Sequence, residues 1–230
     1  MLRLLHAHAT SLPGAWRPER ANQWTHAAGL MLSLVAGAIM LGAVWTTSDT
    51  GRLWGCAVYV IAMIALYAAS TLSHSFEVGP YREFYRMLDQ VCIFVFIAAC
   101  FTPFALTHLR SAFGVAILVA MWLLALAGVV VRIRSRSQTF PIALFLPLGW
   151  LPVLTITRIY EVGSWPGLLL VLAGAVSYTG GFWFLANDEK RGWYHPVWHI
   201  STIAGTAFHY LFLLEFVARS GEFTAALATR

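Results

Sequence analysis

The sequence predicts an all-α membrane protein, a seven-transmembrane helix bundle with its N-terminus cytoplasmic and its C-terminus outside. Three observations carry that reading. The 230 residues are 59% apolar and only 11% charged, with a mean hydropathy of +0.70, far from the balance of a water-soluble domain. Seven apolar stretches, at 24–46, 52–75, 87–108, 111–131, 139–157, 166–186 and 196–217, each approach the ~20 residues a helix needs to cross ~30 Å of hydrocarbon. The positive charges then divide unevenly between the two sides. The N-terminal side receives the ten residues Arg3, Arg17, Arg20, Arg82, Arg86, Arg132, Arg134, Arg136, Lys190 and Arg191, and the other side the five residues Arg52, Arg110, Arg158, Arg219 and Arg230. An excess of Lys and Arg marks the cytoplasmic face, and seven crossings put the C-terminus opposite.

The connections between stretches are too short for a second domain. Residues 21–220 therefore read as one transmembrane bundle, flanked by a polar tail at 1–20 and a C-terminal tail at 221–230. The patch Met1 to Leu5 is interrupted by Arg3 and lacks the sustained apolar core and small-residue cleavage site of a signal peptide. The net charge of +5 follows from the loop bias and calls for no nucleic-acid partner. Cys56, Cys92 and Cys100 all fall inside apolar stretches without paired spacing, so they are expected as buried thiols.

Along the chain, each polar group inside an apolar stretch is costly and becomes a functional candidate. The first stretch opens Glu19-Arg20-Ala21-Asn22-Gln23-Trp24-Thr25-His26, with Asn22 and His26 one turn apart. Interfacial anchoring and capping is the simpler reading of that pair, and an accessory polar role the alternative. Gly29, Gly37 and Gly42 suit close helix contacts. The second stretch ends Ser70-Thr71-Leu72-Ser73-His74, so Ser70 and His74 share a face. A histidine there is also favoured by the helix dipole.

The link from Glu77 to Arg86 reads as a cytoplasmic loop with a surface turn. The third helix is expected to begin at Tyr85, which places Asp89 in its first turn, where the dipole alone would favour an acid. Thr102-Pro103 should kink or end that helix. The fourth stretch has no ionisable side chain, the fifth is bent by Pro141, Pro147 and Pro152, and the sixth carries Gly174, Ser177, Gly180 and Gly181 for close packing. Asn187 to Arg191 returns to the cytoplasmic surface. The last stretch opens with His195 and His199 at i and i+4, one above the other on a helix face, a spacing that lets both imidazoles reach one metal ion. Pro196 is tolerated in the first turns. His209 lies ten residues on, about 15 Å deeper, too far to share that metal, and reads as bonded to a neighbouring helix or as part of a polar path. Glu215 should snorkel or pair at the outer interface.

The charge-derived topology gathers Ser70, His74, Asp89, His195 and His199 in one leaflet. Three imidazoles with a fourth position open are what a catalytic zinc uses. One zinc per chain, held by His74, His195 and His199, would bring the pKa of its water to about 7. Asp89 could hydrogen-bond or deprotonate that water, with Ser70 supporting an oxyanion or the carboxylate.

The Glu-x-x-Asn-x-x-Thr-His opening at 19–26, Ser-x-x-x-His at 70–74, Leu88-Asp89 leading to Phe101-Thr102-Pro103-Phe104, and His-x-x-x-His at 195–199 together resemble the hemolysin III family. That family is the bacterial branch of the progestin and adipoQ receptor group, in a superfamily shared with the alkaline ceramidases. The resemblance implies a multi-pass protein of a bacterial cytoplasmic membrane with a zinc site on the cytoplasmic side. Its ligands carry over onto His74, His195 and His199, with Ser70 and Asp89 as the accompanying polar pair. Two departures stand out, Ser73-His74 where the family often has Tyr-His, and Asp89-Gln90 where it often has Asp-His. The constellation suits a zinc-dependent hydrolase of a lipid amide or similar acyl bond, with a membrane lipid as substrate. The alternative from the bacterial branch is a sensor of membrane-lipid state, a receptor-like protein or a haemolytic pore former with structural zinc. A wide monomeric pore is disfavoured, since stretches four to six carry no charged ring. Homo-oligomerisation is left open.

Overall fold

The computed structural model of the chain describes residues 18–76, 79–135 and 142–220, and all of their regular structure is helical. The first helix, α1 (Pro18–Val44), begins on a proline, whose missing N–H costs nothing in a first turn. The helix α2 (Thr50–Ser73) is capped by Asp49, whose side chain accepts from the Arg52 N–H. It ends on His74, whose own N–H returns to the Leu72 carbonyl.

One expectation for the third helix is corrected and another is narrowed. The helix α3 (Pro80–His108) starts at Pro80, with Gly79 as its cap, so most of the expected loop before Tyr85 is helical. Asp89 consequently lies in the third turn, beyond the reach of the dipole argument. Thr102-Pro103 does not end the helix, which continues to His108. The Thr102 hydroxyl donates to the Ala98 carbonyl and accepts the Trp122 indole N–H at 3.1 Å. That second bond ties α3 to α4 (Ala112–Arg134), which is capped by Ser111.

Among the described residues, six helical runs are long and apolar enough to cross a membrane: Arg20–Val44, Thr50–Ser73, Pro80–His108, Ala112–Arg134, Leu144–Leu185 and Tyr194–Ala218. The fifth run, of 42 residues, would be ~63 Å long if straight, twice the thickness of the hydrocarbon. It comprises α5 (Ile142–Trp150), a 3₁₀ turn (Leu151–Thr155) and α6 (Ile156–Leu185). Pro152 enters at the start of the 3₁₀ turn, where the expected bend falls. Pro141 lies outside the described residues. The second interruption, at Ser164 (φ 50°, ψ −157°), falls within the link expected at 158–165 between the fifth and sixth stretches, although most of that link is helical. There the run folds back. The Trp150 indole donates to Thr179 Oγ1 at 3.2 Å, and the Phe145 and Phe182 rings lie 5.8 Å apart. Both pairs are nearly equidistant from Ser164 along the chain, as two antiparallel helices require.

The last helix, α7 (Tyr194–Leu213), continues as a π-helical turn (Leu214–Ala218). There Glu215 pairs with Arg219 at 2.9 Å. Sequence neighbours pack on one another, and α1 also packs on α7, which closes the bundle and brings the start of α7 between α1 and the end of α2. The core is filled by Met40, Tyr59, Tyr67, Phe94, Met121, Phe145, Leu148 and Leu213, while Leu32, Ile61, Leu123, Leu126, Leu169 and Val176 face outward. Such a shell of exposed aliphatic side chains suits lipid, not water. Exposed tryptophans collect at helix ends. Trp45, Trp54 and Trp165 lie toward one end of the bundle and Trp24, Trp183 and Trp193 toward the other, the pattern of interfacial belts. The three cysteines are free, with Cys56 buried and Cys92 and Cys100 half-buried.

Candidate metal centre

The closed bundle brings together the end of α2, the early turns of α3 and α7, and the first turns of α1. His74 caps α2, and Ser70 is one turn inside it. His195 and His199 stand on successive turns of α7, His199 buried and His74 and His195 half-buried. The ring centroids of His74 lie 5.3 Å from His195 and 5.1 Å from His199, and those of His195 and His199 are 4.5 Å apart. One nitrogen from each of the three falls within 4.8 Å of the others. A tetrahedral zinc, with Zn–N of about 2.0–2.1 Å, separates its nitrogens by roughly 3.4 Å, so small ring movements suffice to enclose an ion.

Two contacts hold these rings in a ligand-ready state. His195 Nδ1 bonds to Asp188 Oδ2 at 2.9 Å. His199 Nδ1 meets Thr25 Oγ1 at 3.1 Å. The Thr25 hydroxyl hydrogen is directed to backbone carbonyls of its own helix, Ala21 at 2.9 Å and Asn22 at 2.8 Å. Its oxygen is therefore the acceptor, and His199 carries its proton on Nδ1. Both rings are engaged through Nδ1, which leaves Nε2 as the nitrogen available to an ion, the arrangement that outer-shell partners impose on metal-bound histidines. The donor set, three imidazoles of which two are held at Nδ1, fits a zinc-type ion.

The Ser70 hydroxyl hydrogen-bonds to the Asp89 carboxylate, and the His195 imidazole acts on that charge. All five residues of the expected constellation thus meet. Asp188 and Thr25 were missed. Asp188 was read as part of a charged surface return, although an acid seven residues before the first histidine of an i, i+4 pair was a signal available for it. Thr25 stood inside the quoted opening without a role. Asn22 and His26 also prove to be buried against the centre, which the interfacial-anchor reading did not anticipate.

His209 takes no part in the triad. Its Nε2 donates to the Val171 carbonyl at 3.1 Å, and its Nδ1 lies 3.5 Å from Cys100 Sγ. A Cβ on Gly174 would come within 2.2 Å of the His209 ring, so the glycine is what admits the imidazole. His209 and Cys100 border an apolar cavity of about 140 Å³, which also reaches Trp198 and Thr202. Those last two are neighbours of His199 on α7, and the cavity therefore begins about one turn below the triad.

With this geometry in view, comparison with known proteins is decisive. The family model described as Haemolysin-III related matches residues 15–210. This chain belongs to the haemolysin-III related family. It is similar to "Hemolysin-3" of Bacillus cereus, 31% identical over 204 residues, covering 87% of this chain and 92% of the relative. It is also similar to "Hemolysin-3 homolog" of Bacillus subtilis (strain 168), 30% identical over 196 residues, covering 83% and 90%. A more distant relative is the human "Monocyte to macrophage differentiation factor", 23% identical over 224 residues, covering 93% and 92%. The hemolysin III membership and the apolar helices together make this a multi-pass bacterial membrane protein.

Proposed function

We propose that this haemolysin-III related chain is a zinc-dependent hydrolase of a lipid amide or similar acyl bond. The observation that carries the reading is the three-imidazole set, with His195 and His199 both held through Nδ1, beside a carboxylate. His74, His195 and His199 would hold one zinc ion. When bound, the ion lowers the pKa of a water to about 7 and polarises the acyl carbonyl. A carboxylate oxygen of Asp89 takes the proton of the attacking water and returns it to the leaving nitrogen or oxygen. The Ser70 hydroxyl keeps that carboxylate aimed. Asp188 and Thr25 keep the His195 and His199 rings turned so that Nε2 faces the ion. The apolar cavity beginning at Trp198 and Thr202 receives the acyl chain and keeps bulk water from the reaction.

The proposed setting is a bundle in which the run Leu144–Leu185 crosses twice about Ser164, giving seven crossings, with the N-terminus cytoplasmic and the C-terminus outside. The fold-back at Ser164 and the excess of Arg and Lys on the N-terminal side support it. The reaction centre then lies in the cytoplasmic leaflet, and a membrane lipid is the partner.

Asp89→Asn tests the chemistry. The variant is expected to keep the wild-type metal content and melting temperature while losing at least about a hundredfold in the rate of cleavage of N-lauroylethanolamine, the size expected of a general base. Unchanged turnover would remove Asp89 from the reaction. A wild type that holds metal but cleaves no acyl bond would favour the sensor or receptor-like reading.

A further inference from the structure

Two polar side chains of α1, in the wall of the metal centre, carry buried atoms without a hydrogen-bond partner among the described residues. Asn22 and His26 stand one turn apart, each 4% exposed. Asn22 Oδ1 and both ring nitrogens of His26 have no hydrogen-bond partner among the described residues. The His26 ring centroid lies 3.8 Å from that of His199 and 6.2 Å from that of His74, the latter nearly parallel. On another side it meets the Tyr67 ring at 5.8 Å, but the Tyr67 hydroxyl is already given to Thr206 at 2.9 Å.

Buried polar atoms are almost always paired, and an unpaired one costs most where no water competes. Three such atoms, on side chains one helical turn apart, mark a place for a guest. His26 stands outside the gathered ligand set, since the nitrogens that come within 4.8 Å of one another among the described residues are those of His74, His195 and His199.

The geometry points to Asn22 and His26 as a headgroup subsite of the metal centre, one that takes an uncharged group bearing O–H or N–H donors. This rests on the hydrolase reading above and narrows its substrate. A carboxamide oxygen only accepts, whereas a neutral imidazole donates from one nitrogen and accepts at the other. Filling the subsite therefore needs two donors and one acceptor. A hydroxyl beside an amide N–H supplies all three. Esters and ethers supply acceptors alone, as does an ionised phosphate, and each leaves Asn22 Oδ1 unpaired.

The test reads binding by native mass spectrometry of the detergent-purified full chain, comparing wild type with Asn22→Leu and His26→Leu. The probes are N-lauroylethanolamine, its O-methyl ether and methyl laurate, which share a chain length and differ in donors. Wild type is expected to bind N-lauroylethanolamine roughly tenfold tighter than methyl laurate, the size of one or two net hydrogen bonds, with the ether between them. Each variant should bring that ratio toward one, keep the wild-type metal content, and melt no lower than wild type, because an unpaired buried group has been removed. Equal affinities in wild type, or an unchanged ratio in the variants, would overturn the subsite. So would a lower melting temperature, which marks a structural pair, or loss of metal, which marks His26 as a ligand. A wild type that holds no metal yet discriminates through Asn22 and His26 would end the hydrolase reading and leave the subsite standing.

Discussion

Asp188 and Thr25 decide whether His195 and His199 present the right nitrogen. The Asp188–His195 bond at 2.9 Å sits in a short 3₁₀ turn, Asp188–Lys190, outside the membrane-spanning runs, so its loss leaves the bundle intact. Asp188→Asn should therefore weaken metal binding by about 10–100-fold with little change in melting temperature, as read by competition with a chromophoric chelator. Unchanged affinity would show that the α7 backbone alone orients His195. Both histidines were legible in the sequence, because an i, i+4 pair is a local pattern. Their orienting partners were not. Thr25 and His199 are 174 positions apart, and that contact exists only because α1 closes onto α7. Gln90 was noted as a departure from the family pattern, and its place is now physical: its carboxamide oxygen accepts from the buried Arg132 guanidinium, which ties α3 to the end of α4.

Individual elements carry two further tests. Ser164 occupies a backbone conformation (φ 50°, ψ −157°) that costs a residue with a Cβ and suits glycine. Ser164→Gly should raise stability by about 1 kcal/mol, and Ser164→Val should lower it, in thermal unfolding in detergent. The reverse order would mean that the chain turns elsewhere. The sequence placed a link at 158–165 but did not single out Ser164 within it, since nothing local demands a left-handed residue there. The Asp49 cap is the second case. Its carboxylate bonds to Arg110 at 2.5 Å and to the Arg52 N–H at 3.2 Å, joining α2 to the end of α3. Partial burial acts to raise its pKa, but those hydrogen bonds outweigh it and hold the carboxyl below the usual range. A depressed folded-state pKa contributes stability above the unfolded value of about 3.9, and this is lost as pH falls through the folded one. Asp49→Asn keeps a capping side chain. It should cost about 1 kcal/mol or less at pH 7, with the difference from wild type shrinking below about pH 4. A difference independent of pH would assign the effect to packing.

At the scale of the whole molecule, composition and charge bias were enough to read a helical membrane bundle. They also brought the polar residues to one end of it, because ionisable groups at membrane depth must find each other or a cavity. What they could not supply was the ring closure of α1 on α7, and hence the buried Asn22 and His26 at the same centre. The apolar cavity beginning below His199 likewise depends on how the bent fifth run packs, which periodicity does not reveal. Everything proposed for the site depends on His74, His195 and His199 holding one metal ion, and the direct test is the metal content of the detergent-purified full chain by inductively coupled plasma mass spectrometry, for wild type and for the pair His195→Ala plus His199→Ala at matched folding. About one zinc per chain, lost in the double variant, is the predicted result. A wild type that holds no metal after zinc is supplied, or a double variant that keeps it, would contradict the claim.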